Sequence, residues 1–435
     1  MTISIRWALA AAVPTVLGLG GLACAARGDD DGLASGVGDD AGAPSTIEAG
    51  TPTAADASDA SDASTVELCS AAGWCPVERP RPEANYVAAA GAKSALYAVF
   101  GGGSAGERVA AWTTHDGWTA SSLPLTRPIS SAAFTTAAVV DDDAVLIAAV
   151  DLAGFYGLAY STPGSNGIFG YYAVPPSDPT QTWTVTEFSL ACATPPLVLP
   201  AAPKLANIGG QVYLAACTGL YRFDRSAFLD GSAEYWKPVY VDDGAGTPAL
   251  SFSVAGTAGD DLWLASSRSS CLTLVHIGPD GAKTIADSNP TKTGCVANGK
   301  GMVDPVSLLG KVGVAPAKGV YALAQANRLM RWTLAPGGND VTVEYSTATN
   351  VWSESIAGLW QGKDRLWATM GDPSSSQGMF IVQVEDPWNS EDAFQLSTQE
   401  RNGFVDGKPL KVITGTSDAV WVLGDDGVAL RRQEK

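Results

Sequence analysis

One apolar run of four residues recurs seven times along the chain, as Leu96-Tyr97-Ala98-Val99, Val145-Leu146-Ile147-Ala148, Val212-Tyr213-Leu214-Ala215, Leu262-Trp263-Leu264-Ala265, Val320-Tyr321-Ala322-Leu323, Leu366-Trp367-Ala368-Thr369 and Val420-Trp421-Val422-Leu423. The runs begin 49, 67, 50, 58, 46 and 54 residues apart. A period of about 40–50 residues, stretched by insertions, is the length of a four-stranded antiparallel sheet with its turns. Beyond residue 85 the pattern is short apolar or alternating stretches bounded by glycine, aspartate, asparagine, serine and proline, with no sustained period of 3.6. The chain reads as all-β. Its repeat predicts a seven-bladed β-propeller, with six or eight blades compatible because the 67-residue interval is wide enough to hold a further partial unit. Prolines 175, 176, 179, 195, 196 and 200 make that interval read mainly as loop. A β-sandwich or two stacked β domains would share the short strands but not the period.

Each run has a context that supports the unit. A glycine- or aspartate-containing turn often precedes it, and a third strand follows, as at Val109–Trp112, Gly219–Phe223, Leu329–Trp332, Met379–Val382 and Val428–Arg431. A more polar fourth strand is expected with an aromatic residue near its start: Trp118, Trp183, Trp236, Trp352 and Phe394. The last repeat reaches Lys435 after only three recognisable strands. Its missing partner is expected at residues 74 to 79, where Gly73-Trp74-Cys75-Pro76 parallels Gly117-Trp118-Thr119-Ala120. Such an N-terminal strand, added to the last blade, would close the ring. Proline at position 76 is tolerable only on an edge strand, which can lose a donor.

The segment Gly415-Thr416-Ser417-Asp418-Ala419-Val420-Trp421-Val422-Leu423-Gly424, with Gly427 beyond it, resembles the repeats of exported β-propellers of Gram-negative bacteria, including myxobacterial proteins that carry a lipoprotein signal and an Asp/Ala/Ser/Gly tether before the ring. The resemblance covers residues 69–435 in style and brings no functional residue with it.

The N-terminus carries its own signals. Arg6 followed by the apolar stretch Trp7–Leu22 suits a signal peptide over residues 1–23 and is short for a membrane span. Ala23-Cys24-Ala25 fits either an ordinary peptidase site or a lipoprotein signal in which Cys24 is acylated; Leu19 to Cys24 resembles a bacterial lipobox, with Gly21 standing where leucine is preferred. The expected location is the cell envelope as an outer-membrane lipoprotein, with a secreted or periplasmic protein as the alternative. Residues 27–68 hold ten acidic residues and one basic residue among alanine, glycine, serine, threonine and proline, without an aromatic. Ordering such a stretch costs about 1–2 kcal/mol per residue with little burial in return, so residues 24–68 are expected to be a disordered linker and residues 69–435 the folded part.

Seven cysteines leave six when Cys24 is lipidated, and these fall into neighbouring couples: Cys69 with Cys75, Cys192 with Cys217, and Cys271 with Cys295. None has metal-ligand spacing. The formal charge of -18 argues against a nucleic-acid partner held through phosphates. Gly101–Gly106 lacks the lysine of a phosphate cradle and reads as a hairpin loop. No esterase nucleophile elbow is present. Thr114-His115-Asp116-Gly117-Trp118 is a poor match to an aspartate box, so His115 reads as a turn residue; His276 reads as a satisfied strand residue. The clusters at Asp141–Asp143, Asp242–Asp243, Asp260–Asp261 and Asp425–Asp426 sit where turns are expected and lack calcium-loop spacing. The sequence thus nominates no catalytic, cofactor or metal residue. It favours a membrane-tethered binding or scaffolding ring for an envelope or extracellular protein or a polysaccharide. The alternatives are a carbohydrate-active propeller enzyme, hydrolase or lyase, and a purely structural envelope component.

Overall fold

The computed structural model describes the chain from Cys69 to Glu434, apart from residues 102–107, 124–134, 151–166, 193–201, 242–250, 288–307, 310–319, 335–340, 346–355, 372–378, 385–393 and 398–408 and a few shorter stretches between strands. The described residues form seven four-stranded antiparallel sheets. Sheet 1 comprises Asn85–Gly91, Ala95–Gly101, Arg108–Thr113 and Gly117–Ser122. Sheet 2 comprises Thr135–Val140, Ala144–Val150, Gly167–Val174 and Thr184–Ala191; sheet 3, Lys204–Ile208, Gln211–Ala216, Gly219–Phe223 and Trp236–Val241. Sheet 4 comprises Ser251–Ala258, Asp261–Arg268, Cys271–Gly278 and Gly281–Asp287; sheet 5, Leu308–Leu309, Val320–Gln325, Arg328–Leu334 and Val341–Tyr345. Sheet 6 comprises Ile356–Gln361, Leu366–Gly371, Met379–Val384 and Phe394–Ser397. Sheet 7 takes Leu410–Gly415, Ala419–Gly424 and Ala429–Gln433 from the end of the chain and Trp74–Pro76 from its beginning.

Every one of the seven sequence runs lies in the second strand of its own sheet, and in the six whose side chains are described the reason is burial on both faces. Along Ala95–Gly101, Tyr97 and Val99 enter a core shared with sheet 2, while Leu96, Ala98 and Phe100 enter a core shared with sheet 7. Val145, Ile147 and Ala149 likewise turn to sheet 1, and Ala144, Leu146 and Ala148 to sheet 3. Alternation still operates, but both sides are dry, so the strand reads as a continuous apolar run. The fourth strand of sheet 2, Thr184–Ala191, is by contrast largely exposed apart from Phe188.

The sheets follow one another through their first strands. Each first strand neighbours that of the next sheet, and Leu410–Gly415 neighbours Asn85–Gly91 as well as Ile356–Gln361. Apolar cores fill the spaces between sheets 1 and 2, 2 and 3, 3 and 4, 6 and 7, and 7 and 1. At the seam, Trp74 pairs with Arg432, Cys75 with Arg431 and Pro76 with Leu430, and the Val77 amide donates to the Ala429 carbonyl at 2.9 Å. Two disulfides, Cys69–Cys75 and Cys192–Cys217, match the expected couples. The second joins the residue after the fourth strand of sheet 2 to the tight turn between the second and third strands of sheet 3, where Cys217 has φ 57°. Cys24 and Cys295, and with Cys295 the third couple, lie outside the described residues.

One expectation needs correction. The fourth strand of sheet 5 is Val341–Tyr345, upstream of Trp352, so an aromatic near the strand's start does not hold there; Trp352 itself is outside the described residues. Trp118, Trp236 and Phe394 do lie in fourth strands, and Trp183 directly precedes one.

Candidate functional site

The turns joining first to second strands gather polar groups at one end of the sheets. Between Val140 and Ala144 run three aspartates, of which Asp141 and Asp142 adopt positive φ of 48° and 62°, a region aspartate tolerates better than bulkier residues. Their mutual repulsion is offset by cations from both neighbouring sheets. Lys93 of sheet 1 pairs with Asp142 at 3.4 Å, and its backbone amide also donates to that carboxylate at 3.2 Å. From the other side Arg225 reaches Asp141 at 2.9 Å and Asp143 at 3.1 Å. Arg225 opens a short helix, Arg225–Leu229, capped by Asp224, whose carboxylate accepts from the Ala227 amide at 3.1 Å. Desolvation works against the Arg225 charge, yet its hydrogen bonds to Asp143 and Asp141 hold its pKa above the ordinary value. Tyr97 donates to the Asp142 carbonyl at 3.3 Å, and burial, reinforced by Asp143 and Asp142, pushes its phenol up to about 12. Ser417 of sheet 7 donates to the Lys93 carbonyl, so sheets 7, 1, 2 and 3 are tied in series.

Within this polar rim lies a cavity of about 720 Å³, walled by the first strands of sheets 1, 2, 3, 6 and 7. A first strand is an edge on the side away from its own sheet, and its outward peptide groups need partners. Side chains supply some of them. Thr136 accepts from the Leu205 amide at 3.1 Å, and Asn207 donates to the Val139 carbonyl at 2.9 Å. Small residues, Ala89, Ala137, Ala138 and Ala206, line part of the walls beside Val139, Leu205, Leu359 and Ile413. Trp360 contributes the large aromatic surface, seated where only glycine leaves room, since a Cβ on Gly415 would fall 2.2 Å from its ring.

Lys204 completes the lining. Water reaches its side chain, yet enough protein surrounds the ammonium that desolvation lowers its pKa. No carboxylate among the described residues pairs with Lys204: Asp141 and Asp142, which also line the cavity, are engaged by Arg225 and Lys93.

The residues weighed from sequence have structural roles. His115 is 94% exposed in a hairpin turn, where the Asp116 amide donates to the Thr113 hydroxyl at 2.9 Å. His276 stands in the third strand of sheet 4, 2.9 Å from Asp261, which also accepts from Thr257 at 2.6 Å; its ring packs 4.7 Å from Trp263. Sheet 7 repeats that latch with arginine, as Asp418 accepts from Thr416 at 2.6 Å and meets Arg431 at 3.3 Å, while Arg431 lies over Trp112 and Trp421. Asp425 pairs with Lys411 at 2.6 Å. Asp242 and Asp243 lie outside the described residues, as do residues 102–107 of the glycine-rich stretch, which connects two strands paired antiparallel. Among the described residues no group of three histidine, cysteine, aspartate or glutamate side chains could hold a metal ion.

Lys204, Trp360, Arg225 and Asn207 were not foreseen from sequence. The only signal was a charged residue opening the strand Lys-Leu-Ala-Asn-Ile at 204–208, and a lone lysine at a strand end is ordinarily solvated.

No protein-family model and no curated protein matches the sequence. Among solved structures the chain is similar to a catalytically inactive virginiamycin B lyase from Staphylococcus aureus with quinupristin, at 12% identity and a TM-score of 0.49 over 83% of this chain and 99% of that one. It is also similar to an ancestral GH74 enzyme, at 12% identity and TM-score 0.44 over 81% of this chain and 48% of that one, and to Saccharomyces cerevisiae Sqt1, at 12% identity and TM-score 0.42 over 82% and 97%.

Proposed function

We propose that the protein is a seven-bladed β-propeller held outside the cytoplasm by a lipidated Cys24, with residues 24–68 as its tether, and that it binds a ligand in the cavity at one mouth of the ring. The ring reading rests on the unbroken series of first-strand neighbours that returns from sheet 7 to sheet 1. The binding reading rests on the cavity, whose volume lies within the range of small-ligand sites and whose lining includes lysine, aspartate, asparagine, serine and threonine side chains. The alternating burial of the second strands lets the sheets carry stability while the turns at the mouth are free to specify a ligand.

Alanine-methyl NMR of the full chain, titrated with oligosaccharides selected on a glycan array, tests the binding. Saturable shifts concentrated on Ala89, Ala138 and Ala206 are expected, and a ligand that shifts only methyls remote from the cavity would overturn the assignment. A carbohydrate-active enzyme is the second reading, and the observation on its side is a cavity lining that includes ionisable side chains, Lys93, Asp141, Asp142 and Lys204. Product formation in the same titration selects that reading.

The tether has its own test. Cys24→Ser is expected to abolish lipid labelling and release the protein from the membrane fraction; unchanged fractionation and mass would remove the anchor.

A further inference from the structure

The first strands can be compared position by position through their register with the second strands. Opposite the second residue of each apolar run, the first strand carries Ala90, Ala138, Ala206 and Ala255 in sheets 1 to 4 and Thr414 in sheet 7. Sheet 6 departs from them with Trp360, opposite Trp367. The counterpart in sheet 5 lies outside the described residues. Repeated sheets solve the same packing problem, and four of them solve it here with a methyl group. The architecture therefore does not require an indole at this level. Nor does the core absorb it: Trp74, Trp263, Trp367 and Trp421 are at most 1% exposed, whereas Trp360 is only partly buried, backed by the core between sheets 6 and 7 and lining the cavity. An aromatic ring beyond what the repeat needs, set on a cavity wall, is a contact for a ligand.

The groups at the same end of the first strands narrow the ligand. Gly415, whose Cβ position is 2.2 Å from the Trp360 ring, is followed by Ser417, whose hydroxyl donates to the Lys93 carbonyl, and Lys93 pairs with Asp142 at 3.4 Å. Trp360 and that ion pair thus share one mouth. Along the linked ion pairs of this rim, Asp141, Asp142 and Asp143 share the cations Lys93 and Arg225, which leaves a net negative charge. An anion is disfavoured there. The described lining holds one aromatic ring, short of the cage of several that holds a quaternary ammonium. A neutral body with a flat apolar face and hydroxyls at its edge fits what is left. A hexopyranose with equatorial hydroxyls is such a body: its axial C–H bonds form the face, an equatorial glycosidic bond leaves that face clear, and its hydroxyls both donate and accept.

We infer that Trp360 is the stacking platform of a neutral-sugar site, on which a β-linked hexopyranose lies flat with its hydroxyls toward the Lys93–Asp142 pair; the inference rests on the reading of the cavity as the ligand site. Trp360 then sets the choice of a sugar with an uninterrupted apolar face.

Cellobiose is the probe, with D-glucuronate and choline as charged comparators, each titrated calorimetrically into the full-length wild type, Trp360→Ala, Trp360→Leu and Trp360→Phe. The wild type is expected to bind cellobiose more tightly than either comparator, Trp360→Ala to lose about tenfold or more, and Trp360→Phe, which keeps a smaller ring, to lose less. Trp360→Leu fills much of the same space without a π face and should lose as much as Trp360→Ala, which keeps the test decisive if Trp360→Ala does not fold. In protein labelled with 5-fluorotryptophan, the resonance missing from Trp360→Phe should shift saturably with cellobiose. Wild-type affinity in Trp360→Leu would overturn the inference, as would a wild type that does not bind cellobiose or that binds glucuronate or choline more tightly. If cellobiose or an oligosaccharide selected on the array shifts the cavity methyls while the Trp360 resonance stays fixed, the platform falls and the cavity reading stands. If the selected oligosaccharides shift only remote methyls, the cavity reading falls and takes this inference with it.

Discussion

Trp74→Ala should lower the unfolding free energy by about 3–5 kcal/mol, the usual cost of truncating a fully buried tryptophan. The side chain is 0% exposed and sits edge-on to Trp367, with ring centroids 5.6 Å apart, in the core between sheets 6 and 7. Its strand is only three residues long, so little else holds the N-terminal segment against Ala429–Gln433. The Cys69–Cys75 disulfide shapes that segment but does not attach it to the sheet. Deleting residues 69–84 should cost more, because it also strips the hydrogen-bonding partner from Ala429–Gln433 and leaves an open edge. Urea unfolding followed by tryptophan fluorescence measures both. A loss below about 1 kcal/mol for Trp74→Ala, at the low end for any buried substitution, would mean that the seam does not depend on this strand.

Gly91→Val should be comparably damaging, with a loss of about 3 kcal/mol or more, or failure to fold, at or beyond the upper end of ordinary overpacking. A Cβ at position 91 would lie 1.7 Å from the carbonyl oxygen of Gly415 and 2.4 Å from its carbon. Those are backbone atoms on the facing first strand, so no rotamer change relieves the contact. Relief requires pulling sheet 1 away from sheet 7. Gly101→Ala is the matched control: among the described residues nothing lies within 4 Å of its Cβ position and its φ is not positive, so it should be neutral or slightly stabilising, by at most about 1 kcal/mol. Similar melting temperatures for the two variants would show that sheets 1 and 7 do not pack as closely as Gly91 and Gly415 imply.

What could be read from the sequence follows from which strands are dry. Second strands such as Ala144–Val150 and Ala419–Gly424 are buried throughout, and a strand covered on both sides cannot hide its pattern. The N-terminal contribution was legible because Trp74 repeats the turn-and-aromatic form of Trp118. Fourth strands were less so, as Trp352 shows, since an edge accepts many sequences. The cavity was not legible at all. It is assembled from five first strands far apart in sequence, and Ala89, Ala138 and Ala206 carry no signal that they face an opening. Lys204 looks like any surface lysine until its neighbours from other sheets are known. Arg225 was equally opaque, since its value lies in reaching two carboxylates more than eighty positions upstream, with sequence separations of 84 and 82.

The shared ownership of sheet 7 has a temporal side. Its outermost strand belongs to the earliest part of the domain to leave the ribosome, and the three strands that receive it belong to the latest. Six sheets have all their residues before the seventh can assemble, and Trp74 must wait for Arg432. Completion therefore waits for the strand Ala429–Gln433, and a message truncated anywhere before Ala429 yields a chain whose opening segment has nowhere to dock.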